Sequence, residues 1–311
     1  MIAHALILTA GLGTRLRPLT DIRAKPAIPV AGEPMIRRIV RWLVSGGVTD
    51  VVLNLHHLPE TITSLVGDGS DLGARVRYSW EHPVILGSGG GPRLALPLIG
   101  EDPFFIINGD TLTDVDLAAL ADAHAASGAL ATLALVPNRH FERYGGVVGG
   151  ADGSVTGFVH RGPSAKGSYH YIGVQAVRAN AFSAIRAGDV ARSIGGVYDA
   201  IIANRPGAIR GFVSEAAFWD VGTVADYWET TCAFSVLPPA EVSLPGRASR
   251  VDPTARITDS ILWDDVEVGA RAVVEHCILT DGVRIPDDAA YRDAILMHQD
   301  GDLVAAELRV P

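Results

Sequence analysis

The strongest constraint on the fold lies towards the end of the chain, where the sequence repeats. Val251, Val268 and Ile285 are 17 residues apart, and Ile261, Ile278 and Ile295 keep the same step. Aligned on these, Asp259-Ser260-Ile261-Leu262 stands over His276-Cys277-Ile278-Leu279 and Asp293-Ala294-Ile295-Leu296, with Val266 and Val283 on the same period. Two apolar registers sharing one period over three copies, with small turn residues between short β segments, predict a stack of about three β coils.

The spacing resembles the hexapeptide left-handed β-helix, whose coil is about 18 residues; each coil here is one residue short. Before the repeat, Leu237-Pro238-Pro239-Ala240 reads as a stiff extended linker, because paired prolines end a helix. The expected division is therefore 1–236 as one domain, 237–247 as linker and 248–311 as a short β-helix tail.

The first part alternates apolar strands and helices. Residues 3–8, 51–55, 104–108 and 130–136 are buried-strand runs, and residues 34–46 place Met35, Ile36, Ile39, Val40, Leu43 and Val44 at helical spacing opposite Arg37, Arg38 and Arg41. An Ala-rich helix follows from Leu117, with Asp114 and Asp116 as its expected caps. Such alternation implies an α/β fold, Rossmann-like and doubly wound on a mainly parallel sheet, with ligands beyond the carboxyl ends of the strands. Shorter strands are expected at 146–149, 154–159, 169–177 and 208–214, helical stretches near 179–186 and 197–203, and a closing helix from Val224 to Phe234.

Composition excludes several function classes. The 26 Lys+Arg against 35 Asp+Glu give a net charge of −9, against a nucleic-acid footprint. No run approaches the ~20 apolar residues of a membrane span, and the start reads as a first strand, not a signal peptide. Cys232 and Cys277 form no disulfide or metal spacing, which fits a soluble cytoplasmic protein. Glycine is in surplus, 34 of 311 residues against a usual share of about 7%. Ten of them, in 11–13, 87–91 and 145–150, fall on segments expected to surround a ligand.

The segment Gly11-Leu12-Gly13-Thr14-Arg15-Leu16-Arg17-Pro18-Leu19-Thr20 follows the first strand. Its glycines let backbone N–H groups approach an anion. It is not a Walker A loop, since no Gly-Lys-Ser or Gly-Lys-Thr occurs, and Leu16 stands where a dinucleotide fingerprint needs a small residue. It does match, position by position, the G-x-G-T-R-x-x-P-x-T signature of the sugar-1-phosphate nucleotidylyltransferases. Lys25-Pro26 resembles the next element, with Ala24 in place of a proline, and Gly32-Glu33-Pro34-Met35-Ile36, Gly87-Ser88-Gly89-Gly90-Gly91, Ile107-Asn108-Gly109-Asp110 and Trp219-Asp220-Val221-Gly222-Thr223 follow in the family's order.

This resemblance implies an enzyme that joins an NTP and a sugar 1-phosphate, giving an NDP-sugar and pyrophosphate. Arg15, Lys25 and Asp110 would be catalytic. Ala10, Gly11, Gly13, Thr14, Arg15, Glu81, Gly87 and Ser88 would bind the nucleotide, Glu81 accepting from guanine N1 and N2 donors. Gly146, Arg161 and Gly173 would hold the sugar phosphate, with Tyr171 beside them, and Asp110 and Asp220 would hold Mg²⁺. Asp220 as a cap of the helix near Thr223 is the competing reading. Arg17 and Arg23 read as bystanders and His56-His57 as a structural pair. His160-Arg161 stands where relatives carry Glu-Lys, which leaves the sugar open.

Within the family, the tail favours a mannose-1-phosphate guanylyltransferase-like enzyme. Gly89-Gly90-Gly91 followed by Arg93-Leu94-Ala95-Leu96-Pro97-Leu98 resembles the N-acetylmuramate-1-phosphate uridylyltransferase group, and heptose 1-phosphate is a further substrate class. Other readings are a nucleotide-sugar sensor without turnover, disfavoured by retention of both Asp110 and Asp220, and an acyltransferase tail, for which three coils are few. A homo-oligomer formed through the tail is the expected assembly.

Overall fold

The computed structural model describes residues 2–100, 103–150, 152–235, 243–244 and 246–310. They form two compact units, neither continuous in sequence: one holds the residues up to Leu12 with Ile36–Asp220, the other Gly13–Met35 with the residues from Val221 onward. Most of the expected linker at 237–247 lies outside the described residues.

The first unit is built on one mixed sheet. His4–Leu8 sits at its centre, parallel to Asp50–Leu55 on one side and Phe104–Asn108 on the other, and Arg75–Trp80 extends the parallel half beyond Asp50–Leu55. Tyr169–Val177 reverses the direction, pairing antiparallel with Phe104–Asn108, with Ala131–Pro137 and, at Tyr169, with Gly146–Gly149. Alternate residues point to opposite faces. Leu6, Val52 and Ile106 join Ala95 and Ile99 of the Gly87–Ile99 helix in one buried cluster. Ile7, Val51, Leu53, Phe105 and Ile107, of opposite parity, are equally buried. The sheet is thus covered on both faces, and the central strands are apolar throughout for that reason.

Met35–Ser45, Leu117–Ser127 and Val224–Phe234 are helices as expected. The sequence reading missed the helix Pro59–Val66, the strand Arg75–Trp80 and the helix Gly87–Ile99. The last carries prolines at 92 and 97 and opens on glycines, so its composition hides it. The stretch near 179–186 shortens to a 3₁₀ turn, Ala179–Phe182. Asp116 caps its helix, accepting from Ala119 N–H at 3.0 Å, but Asp114 instead accepts from Ala217 N–H at 2.8 Å.

In the second unit the tail is a left-handed β-helix whose strands pair in parallel at one coil's separation: Arg250 with Glu267 and then Arg284, Val251 with Val268 and then Ile285, Ile261 with Ile278 and then Ile295. Val266, Val268, Val274, Leu279, Val283, Ile285 and Leu296 fill its core. Left-handed backbone recurs on the same period, at Asp259, His276 and Asp293 (φ 43°, 53° and 48°). The repeat is therefore carried by the turns as well as by the apolar positions. A hairpin of Ala290–Gln299 with Asp302–Glu307 ends the stack and covers that edge with the chain's own strand.

Thr223 caps the Val224–Phe234 helix in a reciprocal box: its hydroxyl accepts from Asp226 N–H at 3.2 Å, and Asp226 accepts from Thr223 N–H at 2.8 Å. Asp220 is therefore not the cap. Thr223→Ala should cost about 1 kcal/mol, read as a lower denaturant midpoint with unchanged slope in the unfolding curve.

Candidate active site

The four parallel strands of the first unit end at one edge, and the loops that leave it carry Thr9-Ala10, His56, Glu81 and Gly109-Asp110. A buried polar knot fixes them. Asn54 accepts from Thr9 N–H at 2.6 Å and donates to Glu81 Oε1 at 2.7 Å, and Glu81 Oε2 accepts from Leu86 N–H at 2.6 Å. Glu81 is 2% exposed. Both of its oxygens are engaged by internal donors, so it braces the strand ends and the start of a helix and is not presented to a base. The His56 ring bonds the Glu81 carbonyl at 2.8 Å, in keeping with a structural role.

The glycines at 87–91 do not form a loop. They are the first turn of the Gly87–Ile99 helix, and the segment 189–193 lies directly on them. Gly89 N–H donates to Ala191 O at 2.9 Å, and a Cβ on Gly90 would come within 2.2 Å of Asp189 O. Ser88 Oγ accepts from Ser193 N–H at 3.0 Å. Close approach of two backbones accounts for Gly87, Gly89 and Gly90, whereas a Cβ on Gly91 would meet the Glu81 and Asn54 side chains.

Asp110 follows the Phe104–Asn108 strand, and the next residues, Thr111–Thr113, pair antiparallel with Phe218–Asp220. Asp220 is opposite Thr111, the residue that follows Asp110, although 110 residues separate the two carboxylates in sequence. Both are half-buried. Gly173 lies in a bulge of its strand at φ +78°, and a Cβ there would come within 2.9 Å of the side chain of Asn108, two residues before Asp110. The Tyr171 hydroxyl is buried without a hydrogen-bond partner. Burial pushes its pKa well up, and the charge of Asp110 adds to the shift. Among the described residues no group of three or more His, Cys, Asp or Glu could hold a metal, so a cation here would rest on this pair and on oxygens brought by a substrate.

Gly146 pairs with Val159, two residues before Arg161, and Arg161 itself is exposed. Nearby, a pocket of about 340 Å³ is lined by Asn138, Arg139, His140, Tyr144, His170 and Phe218, among others. Tyr144, His170 and Phe218 stack within it, with ring centroids 4.1 Å apart for Tyr144–His170 and 5.0 Å for His170–Phe218. His170 was not legible as a site residue. It sits on a strand between two tyrosines, and only the fold brings it to Tyr144.

In the second unit the signature segment is a compact series of turns, Thr14–Leu16, Leu19–Ile22 and Lys25–Ala27. The Thr20 hydroxyl donates to Gly13 O at 3.0 Å, and a Cβ on Gly13 would meet Thr20 at 2.7 Å and Lys25 at 3.3 Å. Arg15 is exposed, with its guanidinium against Gly222, where a Cβ would come within 3.3 Å of it. Lys25 is 8% exposed. Gly11 and Thr14 are exposed and Ala10 is buried.

The nucleotidyl transferase family profile matches residues 4–235, and a GlmU-like C-terminal hexapeptide profile matches residues 239–291. The chain belongs to the nucleotidyl transferase family. The mannose-1-phosphate guanylyltransferase of Mycobacterium tuberculosis is 29% identical over 300 residues, covering 88% of this chain and 83% of that protein. The N-acetylmuramate alpha-1-phosphate uridylyltransferase of Neisseria meningitidis is 45% identical over 115 residues, 37% of this chain and 50% of that protein. The crystal structure of HddC from Yersinia pseudotuberculosis superposes with a TM-score of 0.65 at 23% identity, over 75% of this chain and all of that one, and shows the same fold. The chain is a sugar-1-phosphate nucleotidylyltransferase by reaction class. No helix among its described residues is long and apolar enough to cross a membrane.

The aromatic pocket of this nucleotidyltransferase carries a pH signature. Burial pushes His170 down to about 4, against a hydrogen bond to Gly145 that favours the charged ring, with the Arg143 charge adding to the fall. The folded state therefore prefers the neutral imidazole. Its contribution to stability is complete above the unfolded value of about 6.5 and is lost as pH falls towards 4. His170→Gln should flatten the fall in melting temperature between pH 7 and pH 4.5; an unchanged slope would refute the assignment.

Proposed function

We propose that the chain joins GTP and mannose 1-phosphate to give GDP-mannose and pyrophosphate, with Mg²⁺ held by Asp110 and Asp220. The observation that supports this reading is the ribbon of Thr111–Thr113 with Phe218–Asp220, in which Asp220 stands opposite Thr111, the residue after Asp110. Hard oxygen donors of this kind suit Mg²⁺, which takes one or two carboxylates and fills its remaining positions with water and phosphate. When bound, the ion neutralises charge on the phosphates.

The nucleophile is a sugar-phosphate oxygen, ionised at neutral pH. It forms a bond to the α-phosphorus as the α–β bridging bond breaks and pyrophosphate leaves with the electron pair. No general base is required, so positioning and charge neutralisation supply the catalysis. Arg15, with its planar fork of donors, binds the triphosphate and the departing pyrophosphate. Lys25 places a compact charge on the α-phosphate and the incoming phosphate. Gly11, Gly13 and Thr14 bring backbone N–H groups to the nucleotide, with Ala10 behind them. On the sugar side, Gly146, Gly173 and Arg161 hold the sugar phosphate, Arg161 taking the part of the family lysine.

The choice of GTP and mannose 1-phosphate is supported by the mycobacterial relative, whose match covers more of the chain than residues 4–235 make up. The 45% stretch shared with the meningococcal enzyme favours a second reading, UTP with N-acetylmuramate 1-phosphate. Residues 1–236 are assigned to catalysis and the tail from 248 to assembly of a homo-oligomer.

Pyrophosphate release across a panel of NTPs and sugar 1-phosphates, with and without Mg²⁺, tests the reading. Turnover should need the ion and run fastest with GTP and mannose 1-phosphate. A faster UTP/N-acetylmuramate pair would move the assignment, and nucleotide-sugar binding without turnover by any pair would make the chain a sensor. Asp110→Asn and Arg15→Ala should each lower kcat by about a hundredfold or more with unchanged circular dichroism; a fully active Asp110→Asn enzyme would remove the metal assignment.

A further inference from the structure

Arg23 stands two residues before Lys25 and is 8% exposed. Its guanidinium is held by the β-helix. Nε donates to Asp281 Oδ2 at 2.6 Å, and Nη2 donates to Asp281 Oδ1 at 2.5 Å and to Asp264 Oδ2 at 2.8 Å. Its remaining nitrogen reaches Ala27 O at 3.4 Å, just past Lys25, and the plane lies 5.4 Å from the Trp263 ring centroid. Asp264 and Asp281 occupy one position of successive coils, 17 residues apart. Stacked like charges repel, and burial, together with the Asp264 charge, pushes the Asp281 carboxyl up. Arg247 pairs with Asp264 from the solvent side at 3.1 Å, but the buried cation that meets both carboxylates is Arg23, which comes from the signature segment.

A second tie lies on the other side of Lys25. Trp263 Nε1 donates to the Tyr227 hydroxyl at 2.9 Å, and that hydroxyl donates to Pro29 O at 2.8 Å. Trp263 and Tyr227 are fully buried. The Lys25–Ala27 turn is thus fixed to the tail before it, at Arg23, and after it, at Pro29. By contrast the Arg271–Asp288 ion pair, at 2.6 Å, is solvent-exposed and links one coil to the next.

We propose that the β-helix acts in the transfer reaction as well as in assembly, with Asp264, Asp281 and Trp263 as positioning residues that hold Lys25 through Arg23 and Tyr227. This rests on the role given to Lys25 above, and its test has a readout that needs no substrate. The sequence has two lysines, Lys25 and Lys166. Lys166 is exposed and serves as an internal standard.

In the full-length protein, reductive methylation followed by peptide mapping gives the labelling rate of Lys25 relative to Lys166. In Asp281→Asn the relative rate should rise about threefold or more as the turn opens locally. With the preferred substrate pair, kcat/KM should fall about tenfold, with the loss in kcat and in the KM for the sugar 1-phosphate. Arg271→Ala, which removes an exposed tail pair, should change neither. Should Asp281→Asn fail to fold, Arg23→Lys, which keeps the charge and loses the fork, carries the same comparison. A lower melting temperature with unchanged Lys25 labelling and unchanged kinetics would overturn the proposal and leave the tail a purely structural part. Faster Lys25 labelling in a protein that turns over no substrate pair would instead uphold the positioning and remove the catalytic reading.

Discussion

Backbone pairing on both sides of His4–Leu8 is the constraint from which the first unit follows. A strand hydrogen-bonded to parallel neighbours on each side must be apolar on both faces, and each neighbour must return by a crossover. The helices demanded by those crossovers cover the sheet, and their geometry leaves the loops that follow the parallel strands at one edge. Asn54 then does for the loops what pairing does for the strands. A buried side chain that must satisfy its donor and acceptor can do so only if Thr9 and Glu81 are both in place.

What was legible followed from periodicity and from ordered motifs. The 17-residue step gave the coil register residue for residue, because parallel stacking puts equivalent positions in contact. The alternation of apolar runs identified the central strands for the same reason that they are buried. Less legible were elements whose composition answers to their neighbours. Gly87–Ile99 reads as a flexible loop because it contains glycines and prolines, yet Gly87, Gly89 and Gly90 lie under the segment 189–193 and Gly91 lies against Glu81 and Asn54. Glu81 has the charge of a ligand-binding group and the surroundings of a brace. The surplus of glycine is in part a packing feature: Gly89, Gly90 and Gly91 are buried, while Gly11 faces open space.

Long-range partners were the other class that the sequence could not disclose. His170 meets Tyr144 and Phe218 only through strand pairing, and Arg23 meets Asp281 across 258 residues. Arg23 and Arg17 are alike in sequence, both cations in the same segment. Arg17 pairs with Asp21 on the surface at 3.0 Å, and Arg23 is buried between two coils. The difference arises in the tail, whose Asp264 and Asp281 meet Arg23.

The distribution of cations then takes on a physical meaning. Of 26 basic residues, 24 are arginine and only two are lysine, yet a lysine is kept at the buried position 25. A guanidinium is a wide, planar group that needs a matching pair of acceptors, and Arg23 has them in Asp281. An ammonium is a compact charge with three freely directed donors, which suits the role proposed for Lys25 towards two phosphates. Exchanging the two would put the point charge where a bidentate acceptor stands. The segment therefore uses a rigid, fully paired arginine to hold the backbone, and the proposed part in the chemistry falls to the neighbouring lysine.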